Sequence, residues 1–348
     1  MSVGSHPQHA AVRPDWLASH VEEVIDPGQP IIDAHHHLYD RPGIRYLLDD
    51  MLADMRDGHN LRASVFVQAR AMHRARGPEA MKPIGETEFA NGIAAMAASG
   101  IYGPAQLCAA IVSTADLMLG DAVRPVLEAH RAAAPARFRG VRHTAAWDPD
   151  ASLLNPAYQV SEDMLASPAF RAGFAHLGAL GMSFDAWLFF HQLPRLAELA
   201  RAFPEIPIVL DHCGGILGIG PYQGRRNAVF QRWSAGLREL ATCPNVTVKL
   251  GGLGMRMCGF GFDALERPAS SADLAAAWRP WMETCIELFG ASRCMFESNF
   301  PVDKGSFSYT TCWNAMKHVA AGASADEKDD LFWRSAARFY RIPPEELA

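Results

Sequence analysis

Short apolar runs alternate with longer amphipathic stretches from one end of the chain to the other. The runs "PIIDAHHH", "RASVFVQA", "QLCAAIV", "FRGVRH", "GMSFDAWLFF", "IPIVLDHC", "NVTVKLGG" and "RCMFESN" are aliphatic or β-branched. Such continuous apolar runs are the mark of strands buried on both faces of a parallel sheet. Between them lie helical patterns. "RYLLDDMLADMRDG" gathers Leu47, Leu48, Met51, Leu52 and Met55 on one side and ends at Gly58. "LGDAVRPVLEAHRAAA", "QLPRLAELARAF", "VFQRWSAGLRELATC" and "AAAWRPWMETCIELFG" repeat the pattern. Eight β-then-α units predict a single-domain (β/α)₈ TIM barrel over residues 29–348. An open doubly wound sheet is the alternative, but the Gly-rich phosphate turn it requires after an early strand is absent. Residues 1–28 read as an arm outside the barrel carrying a short helix, "PDWLASHVEEVI". "NPAYQVSEDM" and "GGLGMRMCGFGFDALERPASS" are long excursions after candidate strands, where a barrel keeps its substrate-facing loops.

Composition narrows the class. The chain has 348 residues, 49% of them hydrophobic, enough for a large core. A net charge of -6 with no basic cluster argues against nucleic acid or an anionic membrane as partner. Seven scattered cysteines without a C-x-x-C pair suit a reducing, cytoplasmic setting. The polar opening "MSVGSHPQHA" carries no apolar signal core. The uncharged stretch from Phe89 to Ala115 reads as a helix, a Gly/Pro turn and a strand, so no membrane span is expected. Nothing in the pattern announces a subunit interface, so a homo-oligomer stays open. The partner expected is a small-molecule substrate.

The candidate chemistry lies at the C-terminal ends of the strands, where barrel active sites are built. In "DAHHH", alternation along a strand turns His35 and His37 one way and His36 the other. Two imidazoles so placed can chelate one ion at about 2.0–2.1 Å. Strand six ends in Asp211 and His212. Strand eight ends near Glu297, Asn299 and Asp303. Strand four offers Arg142 and His143, strand five Asp185 and Trp187 with His191 beyond, and strand seven Lys249. Arg70 and Glu86 are more distant candidates. So many polar groups at buried strand ends require partners, and a shared site supplies them.

"DAHHHLYD", "VLDHCGG", "VKLGG" and "MFESNFPVDK" together resemble the amidohydrolase superfamily, in the branch of 2-pyrone-4,6-dicarboxylate lactonase, sugar-acid lactonases and related decarboxylases. The resemblance covers about residues 30 to 342. It implies that His35, His37 and His212 line the metal or substrate site, with His191 the nearest match to a further histidine. The metal expected is one divalent ion, zinc first, with metal-independent catalysis open. The family's last strand reads Ser-Asp-x-Pro, and that aspartate deprotonates the attacking water. Here Asn299 stands in its place, and an amide cannot accept that proton. Asp303, Glu297 and Asp185, in that order, are the candidate replacement bases; a zinc-bound water that needs little help from a base is the alternative.

The expected function is hydrolysis of a small anionic lactone. His35, His37, His212, Asn299 and Asp303 would act at the reacting centre. Arg142, His143, Asp185, Trp187, His191 and Lys249 would bind substrate, with Arg142 and Lys249 anchoring its anionic groups. A metal-assisted decarboxylase or hydratase of an unsaturated acid is one alternative. A ligand-binding barrel that has lost catalysis is another, kept open by Asn299.

Overall fold

A computed structural model describes residues 9–41 and 44–343. Its main sheet has eight strands: β1 (Pro30–His36), β2 (Asn60–Val67), β3 (Gln106–Ser113), β4 (Phe138–Arg142), β5 (Ser183–Ala186), β6 (Ile208–Leu210), β7 (Val246–Leu250) and β8 (Cys294–Phe296). They lie side by side in chain order, and every neighbouring pair is parallel. The ring closes just past β8. Asn299 N donates to His35 O at 2.9 Å and His37 N donates to Phe300 O at 2.7 Å. The result is a (β/α)₈ barrel, as the spacing of apolar runs predicts.

Helices follow the strands on the outside, among them Ile84–Ala98, Arg124–Ala133, Pro168–Ala179, Leu193–Ala202, Arg226–Leu240, Ser271–Phe289 and Tyr309–Val319. No helix among the described residues is long and apolar enough to cross a membrane. The uncharged stretch after Phe89 divides between the helix Ile84–Ala98 and strand β3.

Two apolar layers explain the stability of the ring. Phe66, Ile111, Val141, Phe184, Leu210, Val248 and Phe296 face the helices in one large cluster. Ile32, Ala34, Val65, Val67, Val112, Val209 and Met295 form a second cluster that packs with Tyr340 and Ile342. These residues alternate with the first set along the strands, so they line the inside of the barrel. The helix Ser335–Tyr340 contributes Tyr340 to this inner cluster and so seals the end opposite the active-site mouth. On β4, β5 and β7 the inward positions are polar instead: Arg142, Asp185 and Lys249 are all buried. The charged inward positions thus gather on β4, β5 and β7, with Val209 of β6 between them, and the remaining strands are lined by hydrocarbon.

Strand β1 carries a bulge. Asp33 pairs with Ser64, but the next pair is His36 with Phe66, three residues on one strand against two on the other. The extra residue reverses the alternation set by Ile31 and Ile32. It sends His35 inward and His36 toward Ser64 and Phe66.

The arm differs from expectation. Helix is confined to Pro14–Ala18, and residues 20–29 run without regular structure. Side chains distant in sequence capture the backbone there. Ile25 N donates to Asn314 Oδ1 at 2.9 Å, and Lys317 Nζ donates to the carbonyls of Ile25 and Asp26 at 2.7 and 2.8 Å. These bonds compete with the helical ones. Residues 1–8, which hold most of the polar opening, lie outside the described residues.

Candidate active site

Three imidazoles meet at the barrel mouth. His35 and His37 come from the end of β1, with Nε2 atoms 3.2 Å apart. His212 follows β6, and its ring centroid is 4.6 Å from that of His35. Asp211 and His212 are adjacent, yet both reach inward. Alternation fails because His212 takes a left-handed backbone, φ 55°. The loop after β7 makes room for this ring with Gly252, where a Cβ would lie 2.5 Å from the imidazole of His212. Trp187 sets its ring edge against His212 at 4.9 Å between centroids.

Glu297, two residues before Asn299, clamps two of the histidines. Its Oε1 accepts from His212 Nδ1 at 2.6 Å and from His212 N at 3.2 Å. Its Oε2 lies 3.0 Å from His35 Nδ1. Burial alone would raise this carboxyl, but the facing imidazoles win and hold it down at about 2. His35 is pushed well below its usual range by burial and by the charge of Lys249. His37 is pushed down by burial and by Arg142. Both are neutral at pH 7.

A buried charge network lies beneath. Lys249 Nζ reaches Asp185 Oδ2 at 2.7 Å, Asp211 Oδ1 at 3.1 Å and His35 Nδ1 at 3.1 Å. Burial lowers an ammonium, but Asp185 and Asp211 overcome it and hold Lys249 charged. Two carboxylates take up its charge and it is fully buried, so it offers no free ammonium to a substrate. Asp185 also accepts from Tyr340 Oη at 2.7 Å, and burial raises it to about 6. Arg142 Nη2 donates to Gln68 O at 2.6 Å, Nη1 donates to His35 Nε2 at 3.2 Å, and Nη1 lies 3.5 Å from Asp211.

The Asn299 region is as well built. Asn299 Nδ2 donates to Asp303 Oδ1 at 2.9 Å, and Gly254 N donates to Asp303 Oδ2 at 2.9 Å. Asp303 is buried, and burial raises it to about 7. Asp33, in the β1 bulge, ties this segment down. It accepts from Ser298 N, Ser298 Oγ and Tyr309 Oη at 2.9, 2.6 and 3.1 Å.

Two expected residues stand apart from the centre. His143 is next to Arg142 on β4 and therefore faces the other way. Its Nδ1 accepts from Leu117 N at 3.1 Å, and its ring packs on Phe170. His191 lies in the loop after β5. Its Nε2 contacts Asp148 at 3.0 Å, beside Tyr222, whose hydroxyl donates to the same carboxylate at 2.7 Å. Gln68, which the sequence reading passed over, sits where β2 ends and touches Arg142.

Two metal arrangements can be tested against this geometry. His35, Asp211 and His212 each bring a ligand atom within 4.8 Å of the others. Lys249 already stands 3.1 Å from both Asp211 and His35 Nδ1, so that point holds a cation. The Nε2 pair fits better. His37 Nδ1 faces the carbonyl of Val67 at 2.8 Å, so it must carry the proton and leave Nε2 a bare lone pair. His35 Nδ1 lies between Glu297 Oε2 and Lys249 Nζ, and Arg142 Nη1 donates to Nε2, so Nε2 carries the lone pair and Nδ1 carries the proton toward Glu297. Metal-bound histidines are oriented in this way, by a carbonyl or carboxylate on the second nitrogen. Two donors on one tetrahedral zinc lie about 3.3 Å apart, against the 3.2 Å found. Arg142 competes for His35 Nε2, but three buried carboxylates (Asp185, Asp211, Glu297) face only two buried cations (Arg142, Lys249), and that excess favours a further positive charge.

Comparison with known proteins gives the family. A family model described as Amidohydrolase matches residues 32–342. An uncharacterized protein, y4mH, from Sinorhizobium fredii is 32% identical over 334 residues, covering 90% of this chain and 98% of that one. The L-fucono-1,5-lactonase of Burkholderia ambifaria is 30% identical over 238 residues, 67% of this chain and 71% of that one. An amidohydrolase of Burkholderia multivorans, solved with bound zinc, superposes with a TM-score of 0.67 at 27% identity, covering 90% of this chain and 99% of that one. The chain is a hydrolase of the amidohydrolase family.

Proposed function

We propose that this enzyme opens the lactone of a small sugar acid by attack of water at the barrel mouth. The observation that carries the reading is the pair of unprotonated imidazole nitrogens, 3.2 Å apart, together with a buried carboxylate raised to about 7 that is hydrogen-bonded to Asn299 and feels the charge of His212. The names of the lactonase relatives point to the same ester chemistry.

Asp303 serves as the base that Asn299 cannot be. A carboxylate near 7 is matched to proton transfer at neutral pH. It takes one proton from the water as the water oxygen bonds to the carbonyl carbon. Asn299 holds Asp303 by its amide hydrogen bond. Arg142 faces the developing oxyanion. Glu297 fixes the rotation and tautomer of His35 and His212, and Lys249 with Asp211 and Asp185 braces His35 from below. The ring C–O bond then breaks, and the leaving oxygen recovers the proton from Asp303. A divalent ion, zinc first, would be held by His35 and His37 through Nε2, with His212 beside them, and when bound would polarise the lactone carbonyl and acidify the water.

The substrate is taken to be uncharged at its ring, which departs from the expectation of an anionic lactone. Arg142 and Lys249 were to anchor the anion, but Asp185 and Asp211 already neutralise them. The test is proton release from a panel of neutral and carboxylated lactones, with wild type and His35→Ala and His212→Ala, each with and without chelator. Neutral sugar lactones should be opened by wild type alone. Full activity in either variant would remove the proposed centre.

A further inference from the structure

We infer that Gln68 and Tyr158, with Arg70 above them, form a second recognition point that reads a ring or side-chain hydroxyl of the substrate, remote from the ester. This rests on the lactonase reading and says which part of the lactone the site selects.

Gln68 is fully buried at the end of β2. Its carbonyl accepts from Arg142 Nη2 at 2.6 Å, which places it next to the reacting centre. Its side-chain amide reaches outward, with Nε2 donating to Tyr158 Oη at 3.3 Å. The amide oxygen has no partner among the described residues. Whichever way the amide is turned, Tyr158 satisfies one of its polar atoms and the other is left bare. Arg142 Nε, another buried atom, is bare too. Most buried polar atoms are paired, so two unpartnered ones on residues that touch each other, Arg142 touching His35 as well, mark a place a ligand can complete. An unpartnered acceptor and an unpartnered donor on two residues in contact suit a hydroxyl, which offers both functions from one oxygen.

The surroundings are constructed to hold this arrangement. Arg70 sits on a left-handed backbone, φ 58°, a strained state for a side chain of this kind. The buried Glu86 holds it there: Oε1 accepts from Ala69 N at 2.7 Å and Ala71 N at 3.0 Å, on either side of Arg70. The guanidinium then lies 5.3 Å from the ring centroid of Tyr158 and donates to Ala157 O. The loops after β2 and β4 are thus fastened together over Gln68. A path of polar groups runs from His35 through Arg142 and Gln68 to Tyr158 at the rim.

The experiment uses the full-length enzyme and a 1,5-aldonolactone with its singly deoxygenated analogues. Removing the hydroxyl that Gln68 reads should lower wild-type kcat/KM by about 10- to 100-fold. In Gln68→Leu the parent lactone should fall to the level of that analogue, so the penalty disappears. Tyr158→Phe, at a half-exposed position, should shrink the same penalty, and it stands in if Gln68→Leu does not fold. An equal penalty in wild type and both variants, or no penalised analogue in wild type, would overturn the inference while leaving the lactonase intact. A wild type that prefers carboxylated lactones, with Gln68→Leu abolishing that preference, would also overturn it. A wild type that opens no lactone removes the parent reading and this inference together.

Discussion

Replacing Asp303 by Asn tests the assignment of the base by two independent readouts. Burial raises this carboxyl from 3.8 to about 7. A group whose folded value is raised costs nothing while both states hold the proton. The cost grows as pH climbs through the unfolded value and is complete above the folded one. About three pH units correspond to about 4 kcal/mol. Wild type should therefore lose about 4 kcal/mol, relative to Asp303→Asn, between about pH 4 and pH 8. The variant also brings its amide nitrogen against that of Asn299, now 2.9 Å from the carboxylate. That mismatch costs about 1 kcal/mol, but it does not vary with pH. Urea unfolding at several pH values isolates the slope from this offset. Activity should move the other way. Loss of a general base lowers kcat/KM by about 10²–10⁴-fold, and the rise of kcat/KM with pH near 7 should vanish with it. A variant that keeps that rise, at any level of activity, would refute the assignment. A stability difference independent of pH would refute the burial argument.

Asn299→Asp restores the family carboxylate but sets it against Asp303; the rise in the pH–rate profile should shift upward, and an unshifted profile would count against contact between the two groups. Glu297, held at about 2, contributes stability above its unfolded value of 4.5 that is lost as pH falls through about 2; Glu297→Gln should cost about 3 kcal/mol at pH 7, with the gap closing on acidification in urea titrations. Lys249→Met strands Asp185 and Asp211 in the interior and should cost about 3–5 kcal/mol, less at pH 5 than at pH 8 because Asp185 can then take a proton; near-wild-type stability at pH 8 would mean the network is hydrated. His37→Ala should remove the divalent ion with the fold intact, read as metal content by elemental analysis beside circular dichroism.

Much of this architecture is legible in the chain. The eight apolar runs give the barrel because a strand buried on both faces leaves a continuous signal. His35, His37 and His212 stand at strand ends, and the departure at Asn299 is visible at once. Glu297 is legible as a carboxylate at the mouth, and since Met295 points inward the residue two places on is turned toward the same space; its clamp on two histidines belongs to the tertiary structure. His143 was open to the same argument, since it cannot share a face with its neighbour Arg142. Asp211 and His212 break alternation through a left-handed turn, which only the backbone reveals. The saturation of Lys249 depends on three strands and could not be read from any one of them. The arm's short helix was hidden for a similar reason, because Asn314 and Lys317, nearly three hundred positions away, claim its peptide groups.

The bulge in β1 makes the identity of the working histidines a matter of counting. In a run of three identical residues, phase alone decides which rings enter the mouth. Shortening the segment between Asp33 and His36 by one residue would present a different ring to the cavity without changing the spelling of the triplet. Insertions and deletions there are therefore more dangerous than most substitutions, and a homologue of altered length at this point should be aligned by strand register before its histidines are equated with these.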